Sequence, residues 1–250
     1  MFSPIVRCRT EEGGGKRVRK VYAILLAGGS GTRLGAEIPK QYIKVNNKPI
    51  IAYSLEMLAA HPAILGIQIV AEEAYRDEIC RWADSGKLIG FSDPGENRQF
   101  SIKHAVCDLA KEGSEEDLIL IHDSARPAIT AELVDRMIEA LGDYDGVMPV
   151  LPMQDTVYLS EDGKRVSSLL NREQIFAGQA PELFRLGSYK KAMDDLGDEA
   201  LGKIRGTTEV AIKAGLDVTL VAGDKSNLKI TTKEDLMWFE EYSHKLYGNI

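Results

Sequence analysis

The chain has 250 residues, 44% hydrophobic and 28% charged, an ordinary globular balance with length enough for one α/β domain and a sizeable core. Lysine and arginine total 31 against 38 acidic residues, a net charge of −7, which excludes the basic field of a non-specific nucleic-acid binder and leaves any polyanionic partner to be met locally. Cys8, Cys80 and Cys107 lack C-x-x-C spacing, which argues against a zinc site or disulfide framework and for a reducing cytoplasm, and no apolar run approaches the roughly 20 residues that span a bilayer.

Residues 1 to about 20 carry Glu11, Glu12, Gly13-Gly14-Gly15, Lys16, Arg17, Arg19 and Lys20, with no apolar periodicity and no basic-then-apolar secretory order. They read as a flexible N-terminal extension, with a basic phosphate-contacting tail as the alternative. From Val21 to the C-terminus, residues 21–250, short apolar runs alternate with segments of helical period, as in a mostly parallel sheet with helices on both faces. Strands are expected at Val21–Ala27, Ile67–Ala71, Ile89–Ser92, Leu118–His122, Gly146–Val150 and Val218–Val221. Helices are expected at Ile51–Ala60, Glu72–Ala83, Ser101–Ala110, Ala131–Leu141 and from Lys233 to about Leu246. One segment breaks the alternation: Thr156–Leu159 and Arg165–Leu169 flank Glu161-Asp162-Gly163-Lys164, and an Asp-Gly between alternating strands favours a hairpin. That hairpin is either an edge addition to the sheet or an arm reaching a second subunit.

The first strand runs into Ala27-Gly28-Gly29-Ser30-Gly31-Thr32-Arg33-Leu34, followed by Ile38-Pro39-Lys40-Gln41. Three glycines within four positions let the backbone turn tightly and bring N–H groups against phosphate oxygens. The spacing is neither a Walker A loop nor a complete G-x-G-x-x-G, so a purely structural turn is the competing reading. Arg33 and Lys40 add a guanidinium fork and a point charge suited to a phosphoryl group, although both could be solvated surface cations. The second signal is Leu118-Ile119-Leu120-Ile121-His122-Asp123-Ser124-Ala125-Arg126-Pro127. A carboxylate at the carboxyl end of a strand in an open α/β sheet is placed to hold Mg²⁺ against a triphosphate, which selects Asp123; pairing with Arg126 is the alternative. His122 reads as a satisfied strand-end histidine rather than a base.

Together with Pro39-Lys40-Gln41-Tyr42, Asp155-Thr156, Asn227-Leu228-Lys229-Ile230-Thr231-Thr232 and Glu234-Asp235-Leu236, these motifs resemble, in order from about Val21 to Tyr242, the 2-C-methyl-D-erythritol 4-phosphate cytidylyltransferase family. The resemblance implies a Rossmann-like nucleotidyltransferase that uses CTP and Mg²⁺ and works as a cytoplasmic homodimer. It implies catalytic roles for Arg33, Lys40 and Lys229, and nucleotide contacts from Ala27, Gly28, Gly29, Gly31, Gly95, Arg98, Ser101, Asp123, Ser124 and Arg126, with Asp123 also the metal ligand. It places the acceptor, a polyol phosphate, near Asp155, Arg172, Thr207 and Thr208, and makes the hairpin a dimerisation arm at about 152–176 that carries Arg172 to the neighbour's site.

The departures fall on the acceptor side. Where the family usually reads Thr-Pro-Gln, this chain has Ala180-Pro181-Glu182 after Gln179; its Gly206-Thr207-Thr208-Glu209 is differently spaced from the usual Thr-Asp-Asp or Thr-Asp-Glu; and Ser226 replaces an Asp before Asn227. Lost hydrogen-bond partners disfavour a given polyol. Because the resemblance spans most of the chain, a cytidylyltransferase for methylerythritol phosphate is still expected, with ribitol 5-phosphate or another polyol phosphate as the alternative acceptor and a non-catalytic nucleotide-binding module as a third reading.

Overall fold

The computed structural model describes residues 20–29, 38–83 and 86–247, so the expected extension, apart from Lys20, and both Gly31 and Arg33 lie outside the described residues. Strand β1 (Val21–Leu26) shows how the sequence builds the core. Val21, Ala23 and Leu25 enter one apolar cluster, while Ile24 enters another against which Tyr22 and Leu26 pack, so the strand is covered on both faces as a parallel sheet requires.

A 3₁₀ turn at Lys40–Tyr42 leads to a short hairpin, β2 (Lys44–Val45) and β3 (Lys48–Pro49). Asn46 and Asn47, with φ of 49° and 63°, supply the left-handed pair that such a two-residue turn demands. Then come α1 (Ile50–Ala60), β4 (Ile64–Val70), α2 (Glu73–Trp82), β5 (Leu88–Ser92), α3 (Arg98–Ala110), β6 (Leu118–Asp123), α4 (Ala131–Ala140) and β7 (Gly146–Pro152). The chain continues through β8 (Tyr158–Leu159), β9 (Ser168–Leu169), β10 (Phe176–Gly178), β11 (Glu182–Arg185), α5 (Leu186–Leu201), α6 (Thr207–Lys213), β12 (Val218–Ala222) and α7 (Lys233–Tyr247).

The central sheet runs β10-β7-β11-β6-β1-β4-β5, with β12 also paired to β7. β1 is parallel to β4 and β6, β4 to β5, and β7 to β12, whereas β11 is antiparallel to both β6 and β7 and β10 is antiparallel to β7. The sheet is therefore mostly parallel, as expected. Residues of α1, α2 and α4 fill the cluster on one face, and residues of α3, α5 and α6 fill that on the other. Because β1, β4, β5 and β6 run the same way, the loops after Leu26, Val70, Ser92 and Asp123 emerge at one edge, where ligands of open α/β sheets bind.

A third, smaller cluster of Val45, Ile50, Tyr53, Ala128, Ile230 and Phe239 fastens α7 and the segment before it to α1, with Tyr53 and Phe239 in edge contact at 5.0 Å and 86°. Thr232 and Asp235 start α7 with reciprocal bonds, Asp235 N–H to Thr232 Oγ1 at 3.2 Å and Thr232 N–H to Asp235 Oδ2 at 2.8 Å. The expected hairpin is formed by β8 and β9 outside the central sheet. Asp162 accepts from the N–H groups of Lys164 and Arg165, both at 2.9 Å, and Gly163 takes φ +69°, so the Asp-Gly turns the chain.

Strands β10 and β11 and helices α5 and α6 were not expected from the sequence. Glu182–Arg185 is four residues long, begins and ends with a charge and follows a proline, so local propensity is weak. It forms a strand because β6 and β7 offer an edge on each side and Leu183 and Phe184 have opposite apolar clusters to enter.

Candidate active site

The parallel-strand edge holds a cavity of about 450 Å³ lined by Gly28 and Gly29 after β1, by Lys40 and Gln41, by Gly95 to Arg98 and Ser101 at the start of α3, by Asp123 to Ala125 after β6, and by Lys229 and Thr231. Of the nucleotide contacts expected from the sequence, Gly28, Gly29, Gly95, Arg98, Ser101, Asp123 and Ser124 come together here, as do Lys40 and Lys229.

Each wall has a local cause. Asn97 caps α3, its side-chain oxygen accepting from the N–H groups of Gln99 at 2.9 Å and Phe100 at 3.1 Å, which sets the first turn and aims Arg98. Gly95 sits so close to this turn that a Cβ there would lie 2.3 Å from Phe100 Cβ, and its N–H donates to Ser101 Oγ at 3.0 Å. A Cβ on Gly28 would lie 2.8 Å from two atoms of the Pro94 ring. Ser124 ties the loop after β6 to the end of β1, its Oγ donating to the Leu26 carbonyl at 2.7 Å. The strap bearing Lys229 is held at both ends: Arg126 Nη1 donates to the Asn227 carbonyl at 2.7 Å, and Ile230 N–H to the Ala125 carbonyl at 2.8 Å. Lys40 Nζ donates to the Ile230 carbonyl at 2.7 Å, joining the 3₁₀ turn to this strap.

Charge is concentrated at Asp123. Its Oδ1 accepts from Arg98 Nε and Nη2, both at 3.1 Å, and its Oδ2 accepts from Lys229 Nζ at 2.7 Å. Burial opposes ionisation, but the Arg98 and Lys229 charges overcome it and hold the carboxyl well below the usual carboxylate range. The Arg126 pairing that the spacing permitted is replaced by these two partners. Glu182 is a second buried carboxylate, 3.7 Å from Arg98 Nη2, whose Oε1 accepts from Thr208 N–H at 3.2 Å and Oγ1 at 3.0 Å. Burial raises its pKa despite Arg98 and the threonine hydroxyls. For Arg98 burial disfavours the charge, yet Asp123 and Glu182 raise its pKa.

His122 is fully buried, and burial lowers its pKa to about 4. Its Nε2 lies 3.0 Å from the Arg126 carbonyl, so the neutral ring carries its proton there and donates it. The expected satisfied histidine is met at Nε2 alone, since the buried Nδ1 has no hydrogen-bond partner among the described residues.

Other expected residues lie apart from the cavity lining. Thr207 and Thr208 are buried at the start of α6, where Thr207 Oγ1 accepts from Arg98 and Thr208 holds Glu182. Arg126 acts on the strap, and Ala27 lies beneath the glycine loop. Asp155 and Arg172 lie on the segments flanking the β8–β9 hairpin, where Arg172 Nη1 donates to the Gln154 carbonyl at 2.8 Å. Two residues at the centre were missed as functional candidates. Glu182 stood out only as a departure from the usual motif, and Gln41 only as the neighbour of Lys40.

The family model described as 2-C-methyl-D-erythritol 4-phosphate cytidylyltransferase matches residues 21–245. A protein of that name from Rubrobacter xylanophilus is 34% identical over 220 residues, covering 87% of this chain and 92% of that protein. Ribitol-5-phosphate cytidylyltransferase from Lacticaseibacillus paracasei is 29% identical over 235 residues, covering 89% and 97%. The crystal structure of Francisella tularensis 2-C-methyl-D-erythritol 4-phosphate cytidylyltransferase aligns with a TM-score of 0.76 at 26% identity, covering 89% of this chain and 99% of that one.

Proposed function

The chain belongs to the 2-C-methyl-D-erythritol 4-phosphate cytidylyltransferase family, and we propose that it transfers CMP from CTP to 2-C-methyl-D-erythritol 4-phosphate with release of pyrophosphate, a step of isoprenoid precursor synthesis. The observation that carries this reading is one cavity in which a glycine-rich turn faces Lys40, Arg98, Lys229 and an ionised Asp123.

The chemistry follows from charge. A triphosphate entering the cavity meets the Gly28–Gly29 backbone and three cations. Among the described residues no group of three His, Cys, Asp or Glu side chains could hold a metal by itself. A single carboxylate fits Mg²⁺, which binds through one or two carboxylates and the substrate's phosphate oxygens; when bound it would neutralise phosphate charge as a Lewis acid. The acceptor's phosphate oxygen is already ionised and attacks the α-phosphorus in line: a new P–O bond forms, the bond to the bridging oxygen breaks and pyrophosphate leaves. No strong base is required, consistent with a neutral His122 committed to the Arg126 carbonyl. Lys40 and Lys229, with Arg33 outside the described residues, are assigned to the charge that develops on the transferred group and the leaving pyrophosphate.

Residues 21–250 are taken as the catalytic domain, acting in the cytoplasm. No helix among the described residues is long and apolar enough to cross a membrane. A homodimer is part of the reading: Tyr158, Leu159, Val166 and Leu169 are exposed on or beside the hairpin, which supports an arm that packs on a second copy and brings Arg172 to the acceptor with Asp155, Thr207 and Thr208. Ala180 and Glu182 in place of the family's Thr and Gln keep ribitol 5-phosphate as the second acceptor reading. Incubation with CTP, Mg²⁺ and 2-C-methyl-D-erythritol 4-phosphate should yield, by mass spectrometry, the cytidine diphosphate conjugate of methylerythritol. CTP binding without that product would overturn the acceptor assignment.

A further inference from the structure

Gln41 is buried beside the glycine-rich loop, with 3% of its surface exposed, yet it lines the cavity. Its amide nitrogen donates to the carbonyls of Ala27 at 2.6 Å and Gly29 at 2.9 Å, so both amide hydrogens are spent on the loop. Tyr42 adds a hydroxyl 3.3 Å from the same Ala27 carbonyl and is itself stacked on Tyr75 at 4.1 Å. Burial pushes the Tyr42 phenol well above its usual range, so it remains a donor. On the other side the Pro94 ring blocks retreat of Gly28, and Ala27 N–H is bound to the Val70 carbonyl at 2.8 Å.

In a trans peptide the N–H points opposite the C=O, so fixing the Ala27 carbonyl fixes the direction of the Gly28 N–H. Among the described residues neither the Gly28 nor the Gly29 N–H has a backbone acceptor, although both residues face the cavity. Glycine at both positions would otherwise leave these peptide planes free to rotate. We propose that Gln41 is a positioning residue that, by holding the Ala27 carbonyl and anchoring the loop again at the Gly29 carbonyl, locks the Ala27–Gly28 peptide plane so that the Gly28 N–H faces the nucleotide's phosphates. This rests on the reading of the cavity as a nucleoside triphosphate site, and it predicts a defect that scales with the phosphates rather than with the cytidine or the acceptor.

The test compares wild type with Gln41→Met, which keeps length and volume but has no donor, and Gln41→Glu, which turns a carboxylate toward two carbonyls. Affinities for CTP and for cytidine are measured by calorimetry and ligand-observed NMR, alongside kcat, KM for each substrate and thermal midpoints. Both variants should bind CTP at least about 10-fold more weakly, equivalent to about 1.4 kcal/mol, with cytidine affinity and acceptor KM within about twofold. Equal CTP affinity in wild type and folded Gln41→Met, or a loss equally large for cytidine, would overturn the proposal. Wild-type CTP binding without turnover would sink the reaction assignment while the binding comparison still judged Gln41; failure of the wild type to bind CTP would sink both.

Discussion

Replacing Asp123 by asparagine tests the electrostatic centre of the site. The carboxylate gives one oxygen to two Arg98 donors at 3.1 Å and the other to Lys229 at 2.7 Å. An amide of the same shape offers one oxygen and one donor; if the oxygen keeps Arg98, the NH₂ faces the Lys229 ammonium and that ion pair is lost. A charge-assisted bond of this kind contributes about 1.5–3 kcal/mol when buried, and the partial exposure of Lys229 and Arg98, 36% and 29%, lowers the expected cost to about 1–2 kcal/mol. For a chain of this length that corresponds to a fall in thermal midpoint of about 2–8 °C, leaving a folded protein. Turnover should fall far more, at least about 100-fold at saturating Mg²⁺, if Asp123 is the metal ligand proposed above. CTP affinity without metal should hold or rise, since a negative charge beside the triphosphate is gone. Pyrophosphate release at varied Mg²⁺, with CTP titrations in a chelator, measures both. Folded Asp123→Asn turning over within about threefold of wild type would refute the assignment.

His122 sets an acid limit on stability. Its pKa is about 4 in the fold against 6.5 as the ordinary value, so between these values the unfolded chain binds the extra proton and stability falls as pH falls. The loss is about 2 kcal/mol between pH 6.5 and 5, with Glu182 acting in the opposite sense because its pKa is raised. Urea unfolding should show that loss in wild type and little of it in His122→Gln; parallel pH profiles would contradict it. Of the three glycines lining the cavity, Gly95→Ala should lower the thermal midpoint most, Gly28→Ala should chiefly raise KM for CTP by about 10-fold through contact with Pro94, and Gly29→Ala, with nothing within 4 Å of its Cβ, should leave the midpoint within about 2 °C. If the arm carries Arg172 into the neighbour's site, inactive Arg172→Ala and Lys40→Ala chains mixed and refolded together should recover about a quarter of wild-type activity, since half the dimers hold one intact site. No recovery would count against a shared site.

Two of the segments assigned to phosphate were legible because their chemistry is local, a glycine turn leaving β1 and a carboxylate ending β6; Arg98 was picked out only by the family resemblance, and its helix, expected from Ser101, begins three residues earlier. Periodicity located β1, β5, β6, β7 and β12 to within two residues, since their apolar runs are bounded by polar turns, whereas β4 starts three residues before its expected position because Ile64-Leu65-Gly66 already pairs with β1. The links across the sheet were not legible. Nothing local joins Arg98 to Glu182 or Lys40 to the Ile230 carbonyl, and β11, which brings Glu182 to the site, exists only because two other strands leave room for it. Spacing offered Arg126 as the partner of Asp123; the fold supplied residues 25 positions before and 106 after it instead.

The most direct measurement is kcat/KM for 2-C-methyl-D-erythritol 4-phosphate and for ribitol 5-phosphate in one pyrophosphate-release assay with CTP and Mg²⁺. The expected result is a preference of at least about tenfold for methylerythritol phosphate, the discrimination that a few polar pocket contacts supply. A preference of that size for ribitol 5-phosphate would contradict it and make Ala180 and Glu182 the marks of a different acceptor pocket.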